Sequence, residues 1–285
     1  MALPQSTDNL VAFPRADLRA SLGAAMKRHR LPESLAQALV REAAKFPEVS
    51  ADAALAFALA QRMAPAPIDF EKARGVLLVG PSGAGKSAVA AKILHAAALT
   101  GRKTELARAD SGLALFRTGT NPPELLTVME ADGFNPLNAR AASAFSALGD
   151  IEGVETIGVI SALNDAEDVS DIISSFRFRR VIITNMDRTR RLGAALAACM
   201  SGARLAHVTH GPRPEDGLEM LEPGALAALL LDISFGMKTE SETVISAVDK
   251  VLKEGWRTGD IADAQTPKTK ILGTDAMGAE VLKFI

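Results

Sequence analysis

The sequence has little cysteine, few aromatic residues and no long apolar run. Its 285 residues include one cysteine, one tryptophan and no tyrosine. The single cysteine, Cys199, cannot form an internal disulfide, and its apolar neighbours indicate a small core residue in a reducing compartment. No apolar run reaches membrane-spanning length, and the N-terminus lacks the features of a signal peptide. We therefore expect a cytoplasmic protein whose contact with the inner face of the plasma membrane, if it has any, is peripheral.

An excess of positive charge is also missing. The formal net charge is −2 at pH 7, so the chain carries no basic surplus that would release counterions from a nucleic acid. Nucleic acid is therefore not an expected partner. Apolar residues make up 48% of the chain, which is enough to bury a sizeable core in one large domain or two small ones.

One local signal, in contrast, is strong. The apolar run Val76–Val79 predicts a buried strand, and it leads directly into Gly80-Pro-Ser-Gly-Ala-Gly-Lys86-Ser87, which fits the spacing GxxxxGK[ST]. Residues 88–98 follow with strong helix propensity. Strand, glycine loop and helix in this order predict a phosphate-binding loop.

The residue types of this loop suit a bound nucleotide. Glycines let the backbone turn tightly around a phosphate, and the helix N-terminus adds unpaired N–H groups. Lys86 can reach the β- and γ-phosphates, and the Ser87 hydroxyl can ligate Mg²⁺. The candidate phosphate-binding residues are Gly80, Ser82, Gly83, Ala84, Gly85, Lys86, Ser87 and Ala88.

The rest of the chain predicts an α/β fold of the P-loop nucleotide hydrolase type. Strands and helices alternate from residue 75 onward, as a mostly parallel sheet with helices on both faces requires, and a small helical bundle precedes them. We expect a flexible tail (1–16), a helical N-terminal domain (17–68), a P-loop domain (69–231) and a helical C-terminal extension (232–285).

Residue patterns also predict individual elements. Three N-terminal helices are expected, the first capped by Asp17 and the third by Ser50. Strands are predicted over 102–109, 156–161, 181–184 and 205–209, and later helices over 122–129, 137–148, 166–176, 189–200, 240–254 and 274–283.

Three further stretches resemble motifs of a known family. Thr184-Asn185-Met186-Asp187 is similar to the Thr-Lys-x-Asp motif of the signal-recognition-particle-type GTPases, with Asn185 in place of the lysine. Arg188–Gly193 resembles the following Glu-Thr-x-Arg-Leu-Gly of the flagellar branch, FlhF. Residues 205–216 resemble the closing loop of that branch. The resemblance extends over about residues 17–230.

The resemblance implies a GTP-binding switch that acts with Mg²⁺ in protein targeting or flagellar placement. It implies that Thr184 and Asp187 read the guanine base, that Gly211 and Arg213 contact the base, and that Lys86 and Asp110 act in catalysis. It also implies a homodimer, or a heterodimer with a related GTPase. Apart from GTP, no partner is specified by the residues themselves.

The departures from the family motifs concern hydrolysis. The family's Asp-Thr-Tyr-Arg is represented by Asp110-Ser-Gly-Leu113, without the arginine, and Arg117 is a substitute that nothing in the spacing requires. The family's Asp-Thr-Ala-Gly is expected between residues 130 and 140, where Asp132-Gly133 is the nearest candidate but no apolar strand is predicted before it. We therefore expect slow hydrolysis. The alternative is a nucleotide-binding scaffold module without significant GTPase activity.

The C-terminal segment 232–285 resembles a different family. Its Ile233–Met237, Val248–Ile261 and Gly273–Leu282 are similar to the C-terminal end of 3-isopropylmalate and isocitrate dehydrogenases. The substrate and catalytic residues of those enzymes lie upstream of this piece and have no counterpart here, so a dehydrogenase activity is not expected. The exposed Trp256 and an apolar helical stripe are expected to pack on the P-loop domain or on a partner.

Overall fold

The computed structural model describes residues 15–46, 51–63, 65–136, 138–148, 150–235, 238–259, 262 and 265–284. The helices are α1 (Arg15–Arg28), α2 (Glu33–Ala43), α3 (Ala51–Ala60), α4 (Lys86–Leu99), α5 (Ala109–Arg117), α6 (Ala139–Leu148), α7 (Ala166–Phe176), α8 (Gly193–Met200), α9 (Pro223–Phe235), α10 (Lys238–Lys253) and α11 (Thr274–Leu282). The strands are β1 (Gly75–Val79), β2 (Lys103–Arg108), β3 (Leu125–Glu130), β4 (Val154–Ser161), β5 (Arg180–Thr184), β6 (Arg204–Val208), β7 (Arg257–Thr258) and β8 (Ile271–Leu272).

These elements form two compact units. The first, here called the helical unit, combines the described residues of Met1–Arg28, Glu33–Gln61 and Pro223–Ile285. The second, here called the sheet unit, combines His29–Pro32 with Arg62–Glu222. The predicted domain boundary after residue 231 falls inside α9.

The sheet unit is built on a parallel six-stranded sheet with the strand order β2-β3-β1-β4-β5-β6. Every residue of the central strand β1 is buried, as expected for a parallel strand covered by helices on both faces. The core beneath α4 contains Val76 and Leu78 of β1, Val89 and Ile93 of α4, and Val159 of β4. The predicted α/β fold class is confirmed.

One predicted element of this sheet is wrong. Residues 122–129 do not form a helix, because residues 125–130 form β3 between β1 and β2. Leu126, Val128 and Met129 are fully buried there. Thr127 is also buried, and its hydroxyl donates to the Asn121 side chain over 3.0 Å. Burial in the sheet therefore outweighs the helix propensity of these residues.

The other predicted strands and helices lie close to their expected positions. β4, β5, β6, α6, α7, α10 and α11 overlap the predicted ranges, whereas α8 begins at Gly193 instead of Thr189. The helix α5, which follows β2, was not predicted. Ser50 and the side chain of Asp17 lie outside the described residues, so their capping roles remain predictions.

The helical unit packs helices from the first part of the sequence against helices from its last part. α9 packs against α3 and α10, and α11 also contacts α3. At Gly278 of α11, a Cβ atom would lie 1.7 Å from Cε1 of Phe57 in α3, so the glycine permits this close approach. The C-terminal segment therefore packs on the N-terminal helices, which neither of the two expected arrangements included.

The C-terminal segment itself is only partly buried. Val251 of α10 is fully buried, whereas Val248 and Leu252 are half-buried. Trp256 is half-buried instead of exposed, and Lys270 Nζ lies 3.8 Å from the centre of its ring. Among the described residues, no helix has both the length and the apolar character needed to cross a membrane.

Candidate nucleotide-binding site

The phosphate-binding loop connects β1 to α4 at the carboxyl edge of the sheet. A Cβ atom at Gly80 would lie 2.2 Å from the Val159 carbonyl oxygen, so this position has no room for a side chain. Gly83 and Gly85 have φ angles of 77° and 93°, a left-handed conformation that glycine adopts without strain. Both requirements agree with the glycines of the predicted motif.

Lys86 is held inside this loop. Its residue is 7% exposed, and Nζ donates to the carbonyl oxygens of Gly80 at 3.0 Å and Pro81 at 3.1 Å. Burial lowers the pKa of Lys86, and the carboxylates of Glu130 and Asp132 oppose that shift. A bound phosphate would likewise favour the charged form of the lysine.

The loop borders an open cleft of about 750 Å³. This volume lies in the range typical of small-molecule sites. The described residues that line the cleft are Ser82, Gly83, Gly85, Lys86, Ser87, Ala88, Leu106, Ala107, Arg108, Glu130, Ala131, Asp132 and Gly133.

Glu130 lines the cleft although none of the sequence motifs includes it. It ends β3 and is followed by Ala131, Asp132 and Gly133, so an apolar strand does run into an acidic residue with a glycine three positions later. The Ser87 hydroxyl donates to Glu130 Oε1 over 2.5 Å. The acidic residue directly after the apolar run Leu125–Met129 would have revealed the site if that run had been assigned to a strand.

The segment after β3 packs closely on the phosphate-binding loop. The Ser82 N–H donates to the Phe134 carbonyl oxygen over 3.3 Å. A Cβ atom at Gly133 would lie 2.8 Å from the Ser82 Cα atom. Phe134 stacks in turn on Phe176 of α7, with ring centres 4.1 Å apart. The expectation that Asp132-Gly133 lacks a preceding strand is wrong, because β3 ends at Glu130.

The predicted base-reading motif lies beside the same loop. The Thr184 hydroxyl donates to the Ala84 carbonyl oxygen over 2.7 Å, and its side chain packs at 3.4 Å from the Cβ position of Gly85. Asn185 has a left-handed φ of 59°, and its amide donates to the Ser161 hydroxyl over 3.0 Å. Asp187 is exposed on the following 3₁₀ turn.

A buried lysine of α4 forms hydrogen bonds with the predicted closing loop, residues 205–216. Lys92 is 1% exposed, and its Nζ donates to the carbonyl oxygens of His210 at 3.0 Å and Arg213 at 2.8 Å. The Arg213 N–H donates to Asp216 Oδ2 over 2.8 Å. Gly211 has a φ of 57°. The helix that follows the phosphate-binding loop thus also fixes the predicted base-contacting segment.

Asp110 lies beside the cleft without lining it. It belongs to the first turn of α5, its side chain is 82% exposed, and one of its oxygens lies 3.7 Å from Arg108 Nε. Leu113, in the position of the family arginine, is 3% exposed and packs in the core. The structure therefore brings Lys86, Ser87, Thr184 and the closing loop to one sheet edge, with Asp110 at its margin.

The described residues contain no cluster of three or more histidine, cysteine or acidic side chains suited to a metal ion. His207 is a core residue whose Nε2 accepts the Ile68 N–H over 3.1 Å.

Sequence comparison matches only a segment of the chain to curated proteins. No protein-family profile matches it. The 3-isopropylmalate dehydrogenase of Desulfitobacterium hafniense is 41% identical over 96 residues, which cover 32% of this chain and 26% of that enzyme. The Helicobacter hepaticus enzyme is 31% identical over 103 residues, covering 34% and 28%. The chain thus spans about a quarter of the length of these relatives.

Structural comparison covers most of the chain. FlhF complexed with GTP and Mg²⁺ matches 75% of this chain and 98% of its own, with a TM-score of 0.58 and 16% identity. The cell division protein FtsY of Thermotoga maritima matches 76% and 87%, with a TM-score of 0.58 and 14% identity. The 54 kDa signal recognition particle protein of Aeropyrum pernix in complex with GDP matches 85% and 66%, with a TM-score of 0.54 and 20% identity. The chain has the P-loop fold of the signal-recognition-particle-type GTPases.

Proposed function

We propose that this chain binds GTP and Mg²⁺ and works as a nucleotide-dependent switch in protein targeting or flagellar placement. The observation that carries the proposal is the geometry around Lys86, a nearly buried ammonium group held by loop carbonyls at the mouth of the cleft. A polyanionic phosphate chain is the ligand that offsets a desolvated lysine beside a helix N-terminus.

The residues next to Lys86 fit a magnesium ion. Mg²⁺ prefers hard oxygen ligands and is usually held by one or two protein oxygens together with phosphate oxygens and waters. The Ser87 hydroxyl and the Glu130 carboxylate, 2.5 Å apart, supply such oxygens. When bound, the ion would neutralise negative charge on the phosphates.

Asp187 supports a preference for guanine. It lies on an exposed turn whose start is anchored by Thr184 to the phosphate-binding loop. A carboxylate there can accept the two hydrogen-bond donors of the guanine edge, which adenine lacks. Asn185 is short and donates its amide to the Ser161 hydroxyl. It therefore lacks the long aliphatic stem on which a base could pack.

The proposed switch hydrolyses GTP slowly. Leu113 is buried where the family has an arginine, and Asp110 lies outside the cleft. Arg117 is at the far end of α5 and does not line the cleft, so it does not replace that arginine. Losing such an arginine can cost on the order of 10³-fold in rate.

The proposal includes a protein partner, namely a second copy of this chain or a related GTPase, and peripheral contact with the membrane. It is supported by the likeness to FlhF and to the signal recognition particle receptor FtsY. The partial match to 3-isopropylmalate dehydrogenases supports no enzymatic role, because the chain spans only about a quarter of their length.

Calorimetric titration with a non-hydrolysable GTP analogue and Mg²⁺ tests nucleotide binding. Lys86→Ala should weaken binding about 10- to 100-fold, because it removes charge-assisted hydrogen bonds to phosphate. The matched control is Lys103→Ala, which removes an exposed lysine from the first position of β2, away from the cleft. This variant should bind like wild type. Equal affinities for wild type and Lys86→Ala would exclude this loop as the site.

Competition between GTP and ATP tests the base preference. We expect GTP to bind about 5- to 150-fold more tightly, corresponding to about 1–3 kcal/mol for charge-assisted hydrogen bonds. Asp187→Ala should remove most of that preference while preserving affinity for the phosphates. Equal binding of GTP and ATP to the wild type would contradict the assignment of Asp187.

The second candidate function is a binding scaffold without significant hydrolysis, and the buried Leu113 favours it. Binding groups that act equally on the ground and transition states tighten the complex without accelerating the reaction. A single-turnover assay separates the two candidates: slow but measurable, Mg²⁺-dependent GDP formation supports the switch, and no turnover supports the scaffold. Rapid hydrolysis by the isolated chain would contradict both.

A further inference from the structure

Arg108 brings a second positive charge to the cleft. Among the described residues that line it, Lys86 and Arg108 are the two that carry positive charge. Arg108 is the last residue of β2, whose carboxyl end lies at the same edge of the sheet as the phosphate-binding loop. The resemblance to GTPases places an arginine at position 113 and gives no role to position 108.

The guanidinium of Arg108 is held by acidic side chains on two different segments. Nε lies 3.7 Å from an oxygen of Asp110 in α5, and one terminal nitrogen lies 3.5 Å from Asp132 after β3. Both distances are long for a charge-assisted hydrogen bond. The side chains are 72% exposed for Arg108, 82% for Asp110 and 89% for Asp132. Exposed ion pairs of this kind contribute little to stability, so another anion can replace them.

Lys86 and Arg108 are held in different ways. Lys86 is nearly buried and bound to loop carbonyls, so its ammonium group stays at the loop. Arg108 approaches the same cleft from β2 on an exposed side chain. A guanidinium can bind a phosphate through two parallel hydrogen bonds, which gives it more geometric specificity than an ammonium.

We propose that Arg108 binds the terminal phosphate of a nucleoside triphosphate and thereby distinguishes it from a diphosphate. This inference rests on the proposed function. With a triphosphate in the cleft, the guanidinium exchanges Asp110 and Asp132 for the terminal phosphate. With a diphosphate, both ion pairs remain.

The exchange links the nucleotide state to two segments of chain. Asp110 belongs to the first turn of α5, and Asp132 precedes Gly133, which packs on Ser82. Arg108 therefore joins α5 to the segment after β3 in the diphosphate form and releases both in the triphosphate form. Because only the triphosphate makes this contact, it favours the state in which the two segments are released. A switch requires such a difference in affinity between its two states.

The test compares affinities for GDP and for a non-hydrolysable GTP analogue, both with Mg²⁺. Arg108→Ala should weaken binding of the triphosphate about tenfold and of GDP less than about twofold, since one charge-assisted contact is lost only from the terminal phosphate. Arg108→Lys should restore part of the loss. Arg117→Ala, an exposed arginine at the far end of α5, is the matched control and should change neither affinity.

The outcomes separate this inference from the proposed function. If Lys86→Ala weakens both nucleotides while Arg108→Ala changes neither, the site stands and the role of Arg108 is refuted. An equal loss of affinity for GDP and for the GTP analogue in Arg108→Ala also refutes it, because the arginine would then attract both nucleotides only through its positive charge. Failure of the wild type to bind either nucleotide refutes the proposed function. Circular dichroism of each variant confirms that the fold is retained.

Discussion

The buried His207 predicts that the sheet unit loses stability in mild acid. His207 lies on β6 and is 5% exposed. Its Nε2 accepts the Ile68 N–H over 3.1 Å, and its ring stacks on Phe70. Burial, together with the positive charge of Arg180, lowers the pKa of His207 from 6.5 to about 4. A protonated Nε2 could no longer accept the Ile68 hydrogen bond.

The size of the effect follows from this pKa. Between pH 6.5 and about 4 the unfolded chain binds the proton and the native state does not, so stability falls as the pH falls through this window. For pKa values of 6.5 and about 4, the loss is about 2 kcal/mol at pH 5 and about 3 kcal/mol at pH 4. Above pH 6.5 the stabilisation is fully present.

Urea unfolding of wild type and His207→Gln measures this loss. The glutamine carbonyl can accept the Ile68 N–H but does not titrate, so the wild-type free energy of unfolding should fall relative to the variant by about 2 kcal/mol between pH 7.5 and pH 5. Far-UV circular dichroism is the suitable signal because it includes the helices α4–α8 of the sheet unit. Fluorescence of Trp256 would report on the helical unit instead. If the difference in free energy of unfolding between wild type and His207→Gln is the same at pH 7.5 and pH 5, the reasoning is refuted.

Three further predictions concern single residues. Glu130→Ala should weaken the apparent affinity for Mg²⁺ about 10- to 100-fold in a titration with nucleotide present, because the carboxylate beside Ser87 is lost; an unchanged Mg²⁺ dependence would contradict this. Asn185→Lys should lower the free energy of unfolding by about 1–2 kcal/mol, because residue 185 has a left-handed φ of 59° that asparagine tolerates better than lysine; a variant as stable as wild type would count against it. The pKa of Cys199 is raised to about 12 by burial, so its thiol should react with a thiol reagent only after denaturation, and rapid labelling of the native protein would contradict its burial.

The phosphate-binding loop could be predicted because its requirements are local. Gly83 and Gly85 need positive φ angles, and Gly80 needs space beside β4, so the sequence itself carries the constraint. Lys86 and Ser87 follow at fixed positions on the same turn. The neighbouring strand and helix were recognisable for the same reason, since β1 is apolar throughout and α4 contains good helix formers.

The strand β3 could not be recognised in the same way. Its residues Leu125–Glu130 are compatible with a helix, and the preceding Pro122 suits the first turn of one. The deciding interactions are distant in sequence: the strand is paired with β1 and β2, and Thr127 is buried against Asn121. Because the strand was missed, Glu130 was missed with it.

Arg108 and Lys92 show a second limit of sequence reasoning. The family motif directs attention to residues after Asp110, whereas Arg108, which lines the cleft together with Lys86, lies two residues before it. Lys92 looks like an ordinary helix residue, and only the folded chain shows that it holds the carbonyls of His210 and Arg213. Neither role has a spacing rule that could be applied to the sequence.

The arrangement of the helical unit has a consequence for synthesis on the ribosome. α3 emerges before the sheet unit, but its partners in α9, α10 and α11 follow only after the whole sheet unit has been translated. At roughly 5–20 residues per second, the interval from residue 61 to residue 223 takes about 8–32 s. The sheet unit, which is almost continuous in sequence, can fold during that time. The face of α3 that packs on these C-terminal helices must wait for them, so a nascent chain arrested before residue 223 exposes it to chaperones and to aggregation.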